Sequence, residues 1–275
     1  MQEGSHATFQ AAAGTDRTLV RAAFRVTTDG LLSVLLAPSC ASCGQLLEQP
    51  TQGPVCEPCW QSILPLTPPL CEGCGTPLPA WRVVSIPLLR CPRCRRLASH
   101  IDRACAIGTF DGTLRAIIHA FKYEGRRSLA GRLAGMMRSR GSELLDSAAW
   151  AIPVPLHPSR RRQRGFNQAV DLARNLGLPV RRALARRRAT STQTGLSAAQ
   201  RRRNVHDAFA LRDTWLGRRM GHDERTVLRD SIVVLVDDVS TTGATLEACA
   251  RVLKEAAAVR EVRALTAARA VTERR

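Results

Sequence analysis

Aromatic residues are scarce in this chain: four Trp, one Tyr and six Phe among 275 residues. Platforms that stack successive bases of a single strand are therefore hard to assemble. Lysine is scarcer still, since only Lys122 and Lys254 occur and 39 of the 41 basic residues are arginine. Long apolar runs are missing as well. The longest near the amino terminus, Leu31 to Pro38, is too short to cross a bilayer and no cleavage pattern follows it. Neither membrane insertion nor secretion is expected, and the chain reads as cytoplasmic. Residues 1–30 read as a poorly structured extension, with a weak helix from Arg17 to Val26 as the alternative.

What is present in excess is positive charge, a formal net +18. Arginine recognises phosphate bidentately, which suits an anionic substrate or a nucleic-acid backbone. GC-rich codon usage, which inflates Arg and Ala together, is an equal competing cause. The charge supports phosphate binding without naming a partner.

The most informative stretch is Val233 to Leu246, VVLVDDVSTTGATL. An uninterrupted aliphatic run reads as a strand buried on both faces, so Asp237 and Asp238 fall at its carboxyl end, where open α/β sheets bind ligands. The segment Val239, Ser240, Thr241, Thr242, Gly243, Ala244, Thr245 then wraps an anion with hydroxyls and with N–H groups at the start of a helix. Two carboxylates beside that anion suit the vicinal hydroxyls of a ribose or a divalent cation. A polar turn before a capped helix is the bland reading of Asp-Asp alone; the order of the whole run favours the ligand. Because the Walker lysine is lacking, a nucleoside triphosphatase is not favoured. The run resembles the phosphoribosyl pyrophosphate loop of type I phosphoribosyltransferases, in which the acids hold the ribose hydroxyls and the turn holds the 5-phosphate.

Eight of the ten cysteines form four CxxC pairs: Cys40 and Cys43, Cys56 and Cys59, Cys71 and Cys74, Cys91 and Cys94. Twelve residues separate the first two pairs and sixteen the last two. Two such knuckles supply the four sulfurs of a tetrahedral zinc site, so two structural zinc ribbons are expected, with the sharing of knuckles left open. Disulfides are the alternative and would be unstable in a reducing cytosol. Cys105 and Cys249 fall outside the set and read as small buried residues.

After about residue 99 apolar strands alternate with helical patterns, which implies a mostly parallel sheet flanked by helices. Leu114 to Phe121, Leu129 to Met137 and Phe166 to Leu176 read as helices, and Ala151 to Leu156, Val205 to Leu211 and Glu261 to Ala270 as strands. Arg212 to Asp230 reads as a surface loop. Three further segments bear on anions. In Pro153 to Gln168 a strand breaks into Arg160, Arg161, Arg162 and Arg164 before a helix, a place for a diphosphate or a solvated basic loop. Arg187 to Asn204 reads as a mobile lid or an exposed loop and basic helix. In Phe121 to Arg127 the lysine, Lys122, reads as a snorkelling surface residue ahead of a phosphate contact.

Taken together, LLSVLLAPSCASCG, the CxxC knuckles, FKYEGRR, PVPLHPSRRRQRGFNQA, TSTQTGLSAAQRRRNVHDAF and VVLVDDVSTTGATL resemble the ComF family, the competence-associated branch of the phosphoribosyltransferases. The resemblance implies an α/β, type I phosphoribosyltransferase-like domain over residues 99–275. It implies a cysteine-rich double zinc-ribbon domain over 31–98, where other phosphoribosyltransferases carry a substrate-selecting hood. It further implies that Leu156 to Arg160, which includes His157, forms the diphosphate loop and that the segment Gln193 to Arg203 forms a flexible loop. Transfer of the phosphoribosyl group from phosphoribosyl pyrophosphate with Mg²⁺ is the implied reaction. Asp237 and Asp238 would orient the ribose, and Arg160, Arg162, Arg201 and Arg203 would neutralise the diphosphate. No base is assigned, His157 and His206 included, and no residue names the acceptor. The rival implication is a module that handles single-stranded DNA during uptake.

Overall fold

The computed structural model describes residues 28–34, 36–79, 89–187, 208–212 and 223–271, and the chain divides into two compact units after Trp60.

In the smaller unit, residues 28–34 are helical, so ordered chain begins before Leu31. Asp29 is buried there, its Oδ1 accepting the Thr51 N–H at 2.8 Å. Ser39 and Leu46 form an antiparallel bridge. Between them the first knuckle turns at Gly44, φ 75°, a left-handed conformation that glycine adopts without steric cost. Helix α1 (Glu57–Gln61) carries Cys59 and Trp60 into a small core with Leu47 and Val55.

The larger unit opens with the second pair of knuckles and α2 (Pro92–Arg96). Strand β1 (Arg103–Thr109) leads to α3 (Gly112–Tyr123), α4 (Leu129–Arg140) and α5 (Ser142–Leu145). Next come β2 (Trp150–Pro153), α6 (Pro158–Arg164) and α7 (Gln168–Arg174). Strands β3 (Leu184–Arg186) and β4 (Phe209–Leu211) pair antiparallel. Helix α8 (Glu224–Leu228) precedes β5 (Ile232–Ser240), α9 (Ala244–Ala257) and β6 (Glu261–Arg269). The main sheet has the order β1-β6-β5-β2 with every pairing parallel, as the alternation of strand and helix patterns predicts.

Apolar spacing explains the helices. On α3, Leu114, Ile117, Ile118 and Phe121 are buried, and on α9, Leu246, Cys249, Ala250, Leu253 and Ala257; both sets keep the three- and four-residue steps of a core-facing stripe. Ile232 to Val236 are all buried, as a strand sandwiched by helices requires. Period-two alternation then matters most. Val233 and Leu235 belong to the core formed with Leu246, Cys249 and Leu253 of α9, so Asp237 emerges on the α9 face and Asp238 on the opposite one.

Several readings need correction. The strand does not end at the acids, because β6 offers partners to Val239 and Ser240 as far as Ala268 and Arg269. The arginine run after Leu156 is helical, since Pro158 sits at the helix start, where its missing N–H costs nothing. Within the supposed loop Arg212 to Asp230, Asp223 caps α8 and Leu228 is fully buried; an Asp N-cap with a single apolar anchor leaves too little periodicity to detect. Strands β1 and β3 also carry too short or too mixed a pattern to have been read.

Gly108 of β1 is packed against the segment 64–66: Pro65 bridges it, Leu66 N–H donates to the Ile107 carbonyl, and an added Cβ would collide with the Leu64 carbonyl. Gly108→Ala is expected to cost about 1–3 kcal/mol and to lower the melting temperature by several degrees, read by thermal unfolding; an unchanged melting temperature would show that the Leu64 segment is free to move away.

Candidate functional site

The ends of β5 and β2, the amino end of α9 and the carboxyl end of α3 enclose a cavity of about 260 Å³. Asp237 and Asp238 line it together with every residue from Val239 to Thr245. The opposite wall brings Leu156, Arg160, Arg164, Arg186, Lys122, Tyr123 and Phe110. Neither acid is lost in the core and neither faces away.

The two carboxylates are not equivalent. Asp238 pairs with Lys122 at 2.8 Å, with 12% and 15% of the respective side chains exposed. Lys122 lies 5.9 Å from the centre of the Phe110 ring. Asp237 accepts the Asp238 N–H at 2.9 Å. Burial, and then the charge of Asp238, push its carboxyl up to about 7, although Lys122 and Arg186 oppose the shift. Of the two acids, only Asp238 has a close ion pair among the described residues, so Asp237 carries a desolvation cost that a ligand hydroxyl or a metal ion would relieve.

The turn closes at Gly243, φ 73°, the residue before α9. Ala244 N–H donates to Thr242 Oγ1 at 3.4 Å. Two arginines hold the turn from outside. Arg93 of α2 donates to the Thr242 carbonyl. Buried Arg269 reaches Ser240 Oγ at 3.2 Å and Thr76 Oγ1 at 2.8 Å. Ser240 therefore lines the cavity with a hydroxyl oriented by Arg269, whose O–H is left to donate.

The remaining candidates separate. Leu156 and Arg160 line the cavity. His157 instead caps α6, its Nδ1 2.7 Å from Ser159 Oγ, and Arg162 is exposed and outside the lining. Arg201, Arg203 and the whole segment Gln193 to Arg203 lie outside the described residues. Lys122 was misjudged from sequence: a lone lysine near a helix end looks like a surface residue, and only the fold brings it to Asp238. Arg186 gave no signal, because it stands on a three-residue strand.

Each cysteine quartet is assembled from consecutive knuckles, Cys40, Cys43, Cys56 and Cys59 in one and Cys71, Cys74, Cys91 and Cys94 in the other, with all sulfurs of a set within 4.8 Å of one another. None forms a disulfide. Sulfurs around a zinc ion at about 2.3 Å lie roughly 3.8 Å apart. Cys40 to Cys59, Cys43 to Cys56 and Cys74 to Cys91 are each 3.8 Å. Backbone N–H groups of Ser42 and Cys56 point at Cys40 Sγ, and that of Cys91 at Cys71 Sγ, as thiolates require. The residues fit zinc in both sets.

Comparison with known proteins agrees. Residues 162–274 match the family described as Phosphoribosyl transferase domain, and residues 31–106 match the Double zinc ribbon domain. Competence protein F of Haemophilus influenzae is 31% identical over 211 residues, covering 73% of this chain and 84% of that protein. The chain belongs to the ComF family. Other ComF-like relatives are the DNA utilization protein YhgH of Escherichia coli O157:H7, 32% identical over 197 residues (67% of this chain, 77% of that one), and Competence protein ComFC of Bacillus subtilis, 25% identical over 208 residues (73% and 78%). The ComF chain therefore carries a double zinc ribbon and a phosphoribosyltransferase-type domain with a parallel sheet. No helix among the described residues is long and apolar enough to cross a membrane.

Two outcomes follow from the charges and the sulfurs. Below about pH 4 the Asp237 carboxyl is neutral in folded and unfolded chains alike; as pH rises toward 7 the unfolded chain ionises freely while the folded one does not, so stability falls, and above 7 the full cost remains. Asp237→Asn should accordingly stabilise the free protein by about 1–3 kcal/mol at pH 8, with the gain shrinking toward pH 4; thermal unfolding at both ends checks this, and an equal gain at each pH would discount the raised carboxyl. Metal analysis should find about two zinc ions per chain, falling to about one in Cys91→Ser with a lower melting temperature.

Proposed function

We propose that the cavity at the end of β5 binds phosphoribosyl pyrophosphate together with Mg²⁺ and that the protein is a phosphoribosyltransferase whose acceptor is not yet identified. The observation that carries this reading is the convergence, on one cavity of about 260 Å³, of two adjacent carboxylates, a hydroxyl–glycine turn and a cationic wall. Ribose hydroxyls would donate to Asp237 and Asp238. The 5-phosphate would take N–H groups and hydroxyls from Thr241 to Thr245, at the positive end of the 14-residue helix α9. Arg160, Arg186 and Lys122 would receive the diphosphate, and Arg201 and Arg203 belong to the same role in the family pattern. A bound Mg²⁺ would screen the diphosphate and answer the charge deficit of the acids.

In the transfer, the bond between ribose carbon 1 and the diphosphate oxygen breaks, the diphosphate leaves with the electron pair, and the acceptor's lone pair closes on carbon 1 while its proton departs. Positive charge builds on carbon 1 and the ring oxygen. Carboxylates fixed beside the ribose, and arginines fixed around the leaving group, favour that charge distribution over the ground state. Displacing Lys122 from Asp238 frees an ammonium for phosphate at the moment the ribose claims the carboxylate.

A second reading, a DNA-handling protein whose phosphoribosyl site serves binding or regulation, draws support from relatives named for competence and DNA utilization and from the net charge of +18.

Calorimetry with phosphoribosyl pyrophosphate and Mg²⁺ tests the first reading. Wild-type protein should bind one equivalent, and the double substitution Asp237→Ala with Asp238→Ala should weaken binding at least tenfold; equal affinity in both would remove the acids from the site.

A further inference from the structure

A second cavity of the larger unit exceeds in volume the one that holds the acids. It measures about 370 Å³ and lies on the other side of the segment 154–157, between α6, α7 and β3. Five arginines line it that belong to no part of the site described above: Arg127, Arg161, Arg174, Arg182 and Arg212. A sixth, Arg186, forms a wall common to both cavities, as do Pro155 and Leu156. Among the described residues, Asp171 is the single carboxylate of the lining.

Asp171 is already engaged. Arg127 holds it bidentately, at 2.7 and 2.9 Å, and Arg174 stands 3.8 Å away. Arg127 is oriented as well by the Phe166 ring, whose centre is 5.1 Å from its guanidinium carbon. Among the described residues, no carboxylate is ion-paired with Arg161, Arg182 or Arg212. Arg182 shows the consequence: burial, and then the guanidinium groups of Arg174, Arg161 and Arg212, pull it below the usual arginine range. A lysine or histidine in such company would shed its proton. Arginine cannot do so near neutral pH, so an anion in the cavity relieves the repulsion where a proton loss would not.

We infer that this arginine-lined cavity is a second anion site, separate from the ribose-phosphate cavity, that takes a ligand with adjacent phosphate groups. The chemistry is shared by two sources, the backbone of a nucleic-acid strand and a free oligophosphate. Bidentate guanidinium recognition fits both, since each phosphate presents two or more oxygens to a planar fork. A ligand here would not touch Asp237 or Asp238. It would compete for Arg186 alone, so occupancy of one cavity should weaken the other only slightly.

The test uses the full-length, zinc-loaded chain carrying Asp237→Ala and Asp238→Ala, so that the fate of the phosphoribosyl reading does not enter. Sodium tripolyphosphate is titrated by calorimetry and a labelled ten-nucleotide oligothymidylate by fluorescence anisotropy, both across a salt series. At least one probe is expected to bind with one equivalent per chain and with affinity falling as salt rises. Adding Arg174→Ala and Arg182→Ala should weaken that binding at least tenfold, whereas adding Lys122→Ala, in the other cavity, should leave it within twofold. Arg174→Lys in place of Arg174→Ala, at a side chain 57% exposed, keeps the charge and loses the fork; it should retain intermediate affinity and guards against misfolding as the cause. Tripolyphosphate alone assigns the cavity to a free oligophosphate, and a preference for the oligonucleotide assigns it to a strand. Binding of neither probe, or a loss produced by Lys122→Ala and not by the arginine pair, would overturn the proposal.

Discussion

The site depends on a strand that has no exposed face. Ile232 to Val236 are buried between the helices of the parallel sheet, and the first polar residues along it are the two aspartates. Alternation along the strand forces those acids onto opposite faces, where they meet different neighbours: Lys122 of α3 on one side, and Arg186 with the α9 core on the other. Among the described residues, Asp238 obtains a close partner and Asp237 does not. The raised carboxyl of Asp237 is therefore a consequence of backbone geometry and burial, and it marks a place where the free protein sacrifices stability.

The turn beyond the acids has the opposite problem, for its carbonyls and hydroxyls lack a regular ladder. Second-ribbon residues supply part of the answer. Arg93 follows Cys91 and donates to the Thr242 carbonyl, while Arg269 at the end of β6 joins Ser240 to Thr76 beside Cys74. Gly75 approaches the Ala104 carbonyl so closely that a Cβ would stand 3.0 Å from it. The second sulfur cluster thus acts through the backbone it fixes. A proline-rich segment becomes a rigid support for the turn beyond the acids when four sulfurs share one ion.

Much of this was legible in the residues, and the failures have physical causes. The buried run, the acid pair and the hydroxyl–glycine turn state their environment locally, so strand β5, helix α9 and the cavity end could be read directly. The CxxC spacing likewise specified two four-sulfur sets, although only the fold shows that consecutive knuckles combine. Lys122 could not be placed, because its role comes from α3 packing across the sheet from Asp238, a contact 116 residues away in sequence. Ser240 was read as part of the turn and does line the cavity, but nothing near it in sequence announces the bond from Arg269. His157 was placed in the diphosphate loop by the family resemblance; its imidazole also caps the following helix, a local bond that pattern alone does not reveal.

Arginine excess admits two explanations, codon bias and phosphate recognition, and the distribution of the side chains discriminates between them. Bias alone would scatter guanidinium groups over solvated helix faces. Several arginines are instead structural: Arg263 satisfies the last carbonyls of α5 while pairing with Glu261, and Arg181 pairs with Glu224 at 2.6 Å and stacks 5.2 Å from the Trp150 ring centre. Others converge on two concave surfaces where carboxylates are fewer than cations. Concentrating like charges around cavities costs energy that an exposed scatter would avoid, and a permanently charged side chain cannot escape the cost by losing a proton. Composition supplied the arginines, and the fold gathers several of them around two cavities whose described linings hold fewer carboxylates than cations.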